Sequence, residues 1–204
     1  KWMKKRKWIR LLSVALVAGI LTVGCGAKKD ASGEEKTGTE KSETAKTESD
    51  ATEDKTAISG KHHVEINVKD YGTIKVELDA DTAPITVENF MTLAEDGFYD
   101  GLTFHRIIDG FMIQGGDPNG NGTGGSDTKI KGEFEGNGVK NDISHVRGTI
   151  SMARSSANDS ASSQFFIVQS DSLYLDGEYA GFGTVTEGME IVDQICKDTP
   201  VQDA

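Results

Sequence analysis

The stretch 103-TFHRIIDGFMIQGGDP-118 carries a charge where a core strand would put none. Arg106 and Gln114 are set among Phe104, Ile107, Ile108, Phe111, Met112 and Ile113. Desolvating a guanidinium without a partner is costly, so this arginine needs either partners or a task. The apolar runs around 109-DG-110 read as two short strands, 103–108 and 111–115. A strict two-residue turn at Asp109-Gly110 would set Arg106 opposite Ile113 and His105 opposite Gln114.

Upstream, 64-VEINV-68 and 74-IKVEL-78 alternate apolar and polar residues about a turn at 70-DYG-72, the pattern of a hairpin with one buried face. Next, 81-DTAPITVENFMTLAEDG-97 predicts a helix. Asp81 or Thr82 can cap it, Pro84 suits its first turn, and Gly97 ends it. Val87, Phe90, Met91 and Ala94 form its apolar stripe. Downstream come short strands at 148–152, 164–169 and 181–185, then a second helix over 188–197 with Ile191, Val192 and Ile195 facing in. Many short strands and few helices predict a mainly β fold, a closed antiparallel barrel capped by helices. The folded domain is expected over 61–204.

The ends of the chain differ sharply in character. Residues 1–24 carry Lys1, Lys4, Lys5, Arg6, Lys7 and Arg10 and no acid. That charge of +6, set against a total of -11, leaves -17 from Cys25 onward. So acidic a chain is unsuited to nucleic acid and to electrostatic attachment to anionic lipid. The apolar run 11-LLSVALVAGILTV-23 after the basic start has the length of a signal h-region rather than a span. It ends in 21-LTVGC-25, which resembles the lipobox of bacterial lipoproteins, with Thr22 where leucine is usual. The resemblance implies a signal peptide over 1–24, lipidation of Cys25, and an anchor on the extracytoplasmic face of a cell membrane, of the Gram-positive type. Between Ala27 and Ala57 no aromatic, Leu, Ile, Val or Met occurs, so residues 25–60 are expected to be a disordered charged linker. With Cys25 lipidated, Cys196 has no intrachain partner and is expected to be a buried, inert thiol.

The equipment of bond-breaking chemistry is absent from the pattern. Residues 120-GNGTGG-125 match G-x-G-x-x-G, but they follow 115-GGDPN-119 and open no periodic helix, so a flexible surface loop is expected, not a dinucleotide site. His62 and His63 are strand neighbours that point to opposite faces. His105 and His145 are isolated and read as hydrogen-bonded structural residues. No Ser-His-Asp order stands out, and no metal or cofactor is expected.

The blocks 104-FHRIIDGFMIQGGD-117, 148-GTISMA-153, 163-SQFFIV-168, 173-LYLDGEYAGFG-183 and 188-GMEIVDQI-195 together resemble the cyclophilin family of peptidyl-prolyl isomerases, over roughly residues 62–200. The resemblance implies a closed eight-stranded antiparallel barrel with a helix at each end. The family continues past 199-TPVQDA-204 into a last strand that closes the barrel, so that strand is expected to be missing from this chain. By matching positions, Arg106 is the catalytic arginine and Gln114 orients it. Phe111, Met112, Phe166 and Leu175 correspond to the proline pocket, and Ala153 and Arg154 to the strand whose backbone pairs with the peptide. His145 matches a structural histidine near the groove. The resemblance also implies that Arg106 and Gln114 lie together, which requires an irregular turn between their strands. Tyr174 stands where many members have a tryptophan that donates to cyclosporin, which implies weak binding of that drug. Tyr179 replaces a groove histidine and bears on ligand preference.

That chemistry explains the arginine. Rotation about an X–Pro bond breaks amide resonance, and no covalent bond need change. The implied activity is acceleration of that rotation while exported proteins fold, by a monomer whose partners are proline-containing polypeptides. A non-catalytic proline-binding module or holdase is the alternative.

Overall fold

Period-two alternation makes β1 (Lys61–Val68) and β2 (Gly72–Asp79) a hairpin in the computed structural model, which describes residues 58–199. The signal segment 1–24, Cys25 and the linker through residue 57 lie outside the described residues. Val68 pairs with Gly72 across the turn, in which Asp70 takes a left-handed φ of 67°. Ile74, Val76 and Leu78 of β2 are buried on one face.

Helix α1 (Pro84–Glu95) keeps its proline in the first turn but not its expected cap. Asp81 accepts from the Gly60 N–H, and the Thr82 hydroxyl donates to Asp79, so neither turns to the helix. A tertiary acceptor takes over. Glu133 receives the Ile85 N–H at 3.1 Å, the Thr86 N–H at 2.8 Å and the Thr86 hydroxyl at 2.7 Å. Orphan donors at a helix start need an acceptor, and a buried carboxylate is a strong one. Val87 and Phe90 are buried and Met91 packs against the core, whereas Ala94 is exposed.

Five more strands follow: β3 (Arg106–Ile108), β4 (Met112–Gly115), β5 (Thr149–Met152), β6 (Phe165–Val168) and β7 (Gly181–Glu187). Helix α2 (Met189–Asp198) closes the described chain, burying Val192, Ile195 and Cys196. Burial pushes the Cys196 thiol up to about 11, so it stays a neutral, inert core group.

All pairings are antiparallel, in the order β1-β2-β7-β5-β6-β4-β3. The mainly β fold with two helices is as expected, but hydrogen bonds among the described residues do not close the sheet into a barrel. Among the described residues the sheet has seven strands, with β1 and β3 as free edges. Between those edges runs a cleft of about 650 Å³, lined by Val64, Ile66 and Val68 on one side and Phe104 and Ile107 on the other. No described strand fills it, so the hydrogen-bonded circuit stays open.

The sheet sorts its side chains by alternation. Ile113, Phe165 and Ile167 face the main core, where Phe90 meets Tyr99, Phe165 and Phe182 at ring distances of 4.9 to 5.3 Å. Their neighbours Met112, Phe166 and Val168 point the other way and build a second, smaller cluster with Leu175. That outer cluster carries the site.

The Glu133 cap is directly testable. Glu133→Ala strands two backbone donors and is expected to lower unfolding free energy by about 1–3 kcal/mol in urea titrations, with Glu133→Gln less affected.

Candidate active site

Three residues, not two, separate β3 from β4. Ile108 pairs with Met112, Ile107 with Ile113 and Arg106 with Gln114. Gly110, at a φ of 78°, allows the tight turn, and the Phe111 N–H closes it on Ile108 O at 3.1 Å. The strict two-residue register is thus replaced, and with it the pairing of Arg106 to Ile113. The row then continues across the sheet, because Gln114 lies opposite Phe166 and Phe166 opposite Ser151. Directly opposed residues share a face, so Arg106, Gln114, Phe166 and Ser151 form one line over four strands.

Polar contacts fix the near end of that line. Arg106 Nη1 lies 3.4 Å from Gln114 Oε1 and 3.9 Å from Met112 Sδ, with the guanidinium 5.9 Å from the Phe111 ring centre. Gln114 Nε2 donates to Gln164 Oε1 at 2.8 Å, and Gln164 Nε2 donates to Gly124 O at 2.7 Å. This chain sets the orientation of both amides. Arg106 is exposed on an edge strand and, among the described residues, makes no ion pair. The charge in the apolar run is not buried; it stays hydrated and keeps donors free.

Beside it lie Met112, Phe166 and Leu175, all buried, with Phe111, Ala153 and Tyr179 packed against them. The four residues matched to a proline pocket therefore share one cluster. Tyr174 is 70% exposed, its ring 6.0 Å from Phe111. Arg154 is held differently from Arg106. Its guanidinium lies 5.0 Å from the Phe134 ring and 4.9 Å from the Tyr179 ring, and its Nε donates to Glu178 O at 2.9 Å. The side chain braces Tyr179. The Ala153 N–H is bound to Gln164 O, whereas Ala153 C=O and Arg154 N–H enter no hydrogen bond among the described residues.

The model of the family described as "Cyclophilin type peptidyl-prolyl cis-trans isomerase/CLD" matches residues 63–204. The chain belongs to the cyclophilin family. Its activity is peptidyl-prolyl cis-trans isomerisation. Peptidyl-prolyl cis-trans isomerase B of Bacillus subtilis is 49% identical over 123 residues, 60% of this chain and 82% of that protein. A Helicobacter pylori peptidyl-prolyl cis-trans isomerase is 48% identical over 126 residues, 61% of this chain and 74% of that protein. A Cryptosporidium parvum cyclophilin, crystallised in the presence of the dipeptide Ala-Pro, superposes with a TM-score of 0.61 at 35% identity, covering 66% of this chain and 85% of that one.

Several residues around this cyclophilin site escaped the sequence pattern. Gln164 links Gln114 to the glycine-rich loop, and only the β4–β6 register brings it there. The loop 120–125 itself, expected to be flexible, is tied down. Asp117, only 1% exposed, accepts the N–H groups of Asn119 at 2.8 Å, Asn121 at 3.0 Å and Gly122. Between loop and sheet lies a polar cavity of about 440 Å³, lined in part by Gln114, Thr123, Ala153 and Gln164. His105 was expected to be hydrogen-bonded, but among the described residues neither ring nitrogen has a partner. His145 is fully buried and bonded on both nitrogens, to Asp176 and Ser151. A Ser-His-Asp chain is therefore present after all, in the order His145, Ser151, Asp176.

Burial opposes ionisation of Asp117, but the loop N–H groups outweigh it and hold the carboxyl below its ordinary range. Its folded pKa being depressed, the stability it contributes is present above about pH 4 and lost as pH falls through the lower folded value. In Asp117→Asn that acid-side loss is expected to shrink, measured as a flatter dependence of urea midpoint on pH below about 4.

Proposed function

We propose that this chain accelerates rotation about X–Pro bonds in exported polypeptides by offering the Arg106 guanidinium to the prolyl nitrogen while the outer apolar cluster holds the ring. The observation that carries this reading is the register pairing of Arg106 with Gln114 at the rim of the Phe111–Met112–Phe166–Leu175 cluster.

The chemistry follows from the barrier. Twisting the amide costs about 18–20 kcal/mol, because resonance is lost. In the twisted state the nitrogen becomes pyramidal and regains a lone pair, so a donor aimed there binds that state better than the planar one. Arg106 keeps free donors for this, since Gln114 occupies only Nη1, at 3.4 Å. A millionfold acceleration asks for about 8 kcal/mol, and one charge-assisted hydrogen bond supplies about 1.5–3. The remainder falls to exclusion of water and to fixing the proline ring against Phe166 and Met112. Ala153 C=O and Arg154 N–H, unbonded beside the cluster, are the groups we assign to the peptide backbone. Tyr174 and Tyr179 flank it. A phenol at 174 lacks the indole N–H, which supports weak cyclosporin binding.

Crystallisation of the Cryptosporidium parvum relative in the presence of Ala-Pro supports proline-containing peptides as the ligand class. The free edges of β1 and β3, with an apolar cleft between them, support a closed eight-stranded barrel as the completed form of the sheet. The basic start, the apolar run 11–23 and Gly24-Cys25 support a lipid-anchored enzyme on the outer face of the cell membrane, tethered by the charged linker.

In a peptide isomerisation assay Arg106→Ala is expected to lose about 10²–10³ of kcat with an unchanged fold. Equal rates for variant and wild type would overturn the role given to Arg106. Cys25→Ser is expected to move the protein from the detergent phase to the aqueous phase when cells are fractionated. Retention in the detergent phase would refute lipid anchoring through that cysteine.

A further inference from the structure

The line Arg106–Gln114–Phe166 does not stop at Phe166. Ser151, opposite Phe166 on β5, is fully buried, and its Oγ lies 2.9 Å from His145 Nε2. On the other side of the ring, His145 Nδ1 lies 2.8 Å from Asp176 Oδ1, which also accepts the His145 backbone N–H at 2.7 Å. An ionised carboxylate only accepts, so Nδ1 carries the proton, Nε2 of the neutral ring is bare, and the Ser151 hydroxyl donates to it. The set has the members of a hydrolytic triad, but Ser151 has no exposed surface, so no substrate carbonyl can reach it. Its effect must be on what the ring touches. The His145 ring lies 6.0 Å from Phe166 and 20° from parallel to it, and Tyr179 stands edge-on to both, at 6.5 and 6.0 Å.

We propose that His145 is a positioning residue for the isomerase: Asp176 and Ser151 lock its ring, and the ring fixes Phe166 in the wall of the proline pocket and Tyr179 beside it. The proposal rests on the reading of that cluster as the proline pocket. A wall set within a fraction of an ångström matters because the ring must stay still while the carbonyl side turns.

The arrangement is complete for a neutral imidazole. Asp176 is the charged group that faces His145, and Tyr179, Phe166 and Ser151 surround the rest of the ring. Burial pushes the His145 pKa down, and Asp176 opposes this without overcoming it. Protonation adds an N–H at Nε2, where the Ser151 hydroxyl needs an acceptor. The lock is thus intact above the ordinary imidazole range and fails as pH falls through the lowered value.

The test is steady-state isomerisation of an Ala-Pro peptide by the full chain, with Arg106→Ala, His145→Gln and Asp176→Asn compared across pH. His145→Gln is expected to raise KM about tenfold while kcat falls less than about threefold, whereas Arg106→Ala lowers kcat. Asp176→Asn keeps an acceptor but not the charge, and is expected to move the acid limb of kcat/KM to lower pH. A KM within twofold of wild type for His145→Gln, or an unmoved acid limb for Asp176→Asn, would overturn the proposal. Wild-type NMR supplies a readout independent of folding of the variants and of activity. The Phe166 and Tyr179 ring signals of the free protein must titrate together with the His145 imidazole signals. Rings that ignore that titration overturn the proposal even in an active enzyme, and a failed isomerase reading leaves this measurement standing.

Discussion

The pairing of Arg106 with Gln114 is the constraint on which the rest of the site depends. It exists because Asp109, Gly110 and Phe111, not two residues, connect β3 to β4. A one-residue slip would put the guanidinium opposite Ile113, a core side chain, and would move Met112 off the outer cluster. With the register as it is, an edge strand presents a hydrated cation to an apolar surface without burying it.

From that pair the order spreads along the sheet in two directions. Toward the glycine-rich loop it runs through Gln164 to Gly124, with Asp117 holding the loop from beneath. Toward β5 it runs through Phe166 to Ser151, and there a buried histidine and a carboxylate finish the line. Each end uses hydrogen bonds from groups that would be costly to leave unpaired once buried, so the outer face is held as firmly as a core. Arg154 adds a brace of another kind, a guanidinium stacked between Phe134 and Tyr179.

The two cations of the groove thus divide the work. Arg154 is held by two rings, by the Glu178 carbonyl and by the Glu178 carboxylate at 3.4 Å, with its side chain only 12% exposed. Arg106 has one long contact to Gln114 and remains exposed. Arg106 has the more donors to spare for a ligand. Elsewhere, α1 shows the same reliance on distant partners, since its first N–H groups are satisfied by Glu133 rather than by the residues before the helix.

Local pattern was enough for the elements. Alternation marked β1 and β2, Pro84 and Gly97 bracketed α1, and the blocks around Arg106, Phe166 and Leu175 carried the family resemblance, which in turn implied the membership of the apolar cluster. These are short-range properties, written in neighbouring residues. What only the tertiary structure decided has a common physical cause, that its partners lie far apart in the chain. The free edges of β1 and β3, the cap from Glu133, the link through Gln164 and the meeting of Ser151, His145 and Asp176 all depend on strand register and on which faces come together. Sequence alone determined that this chain would hold an arginine at the rim of an apolar patch, and the fold decided what holds that patch still.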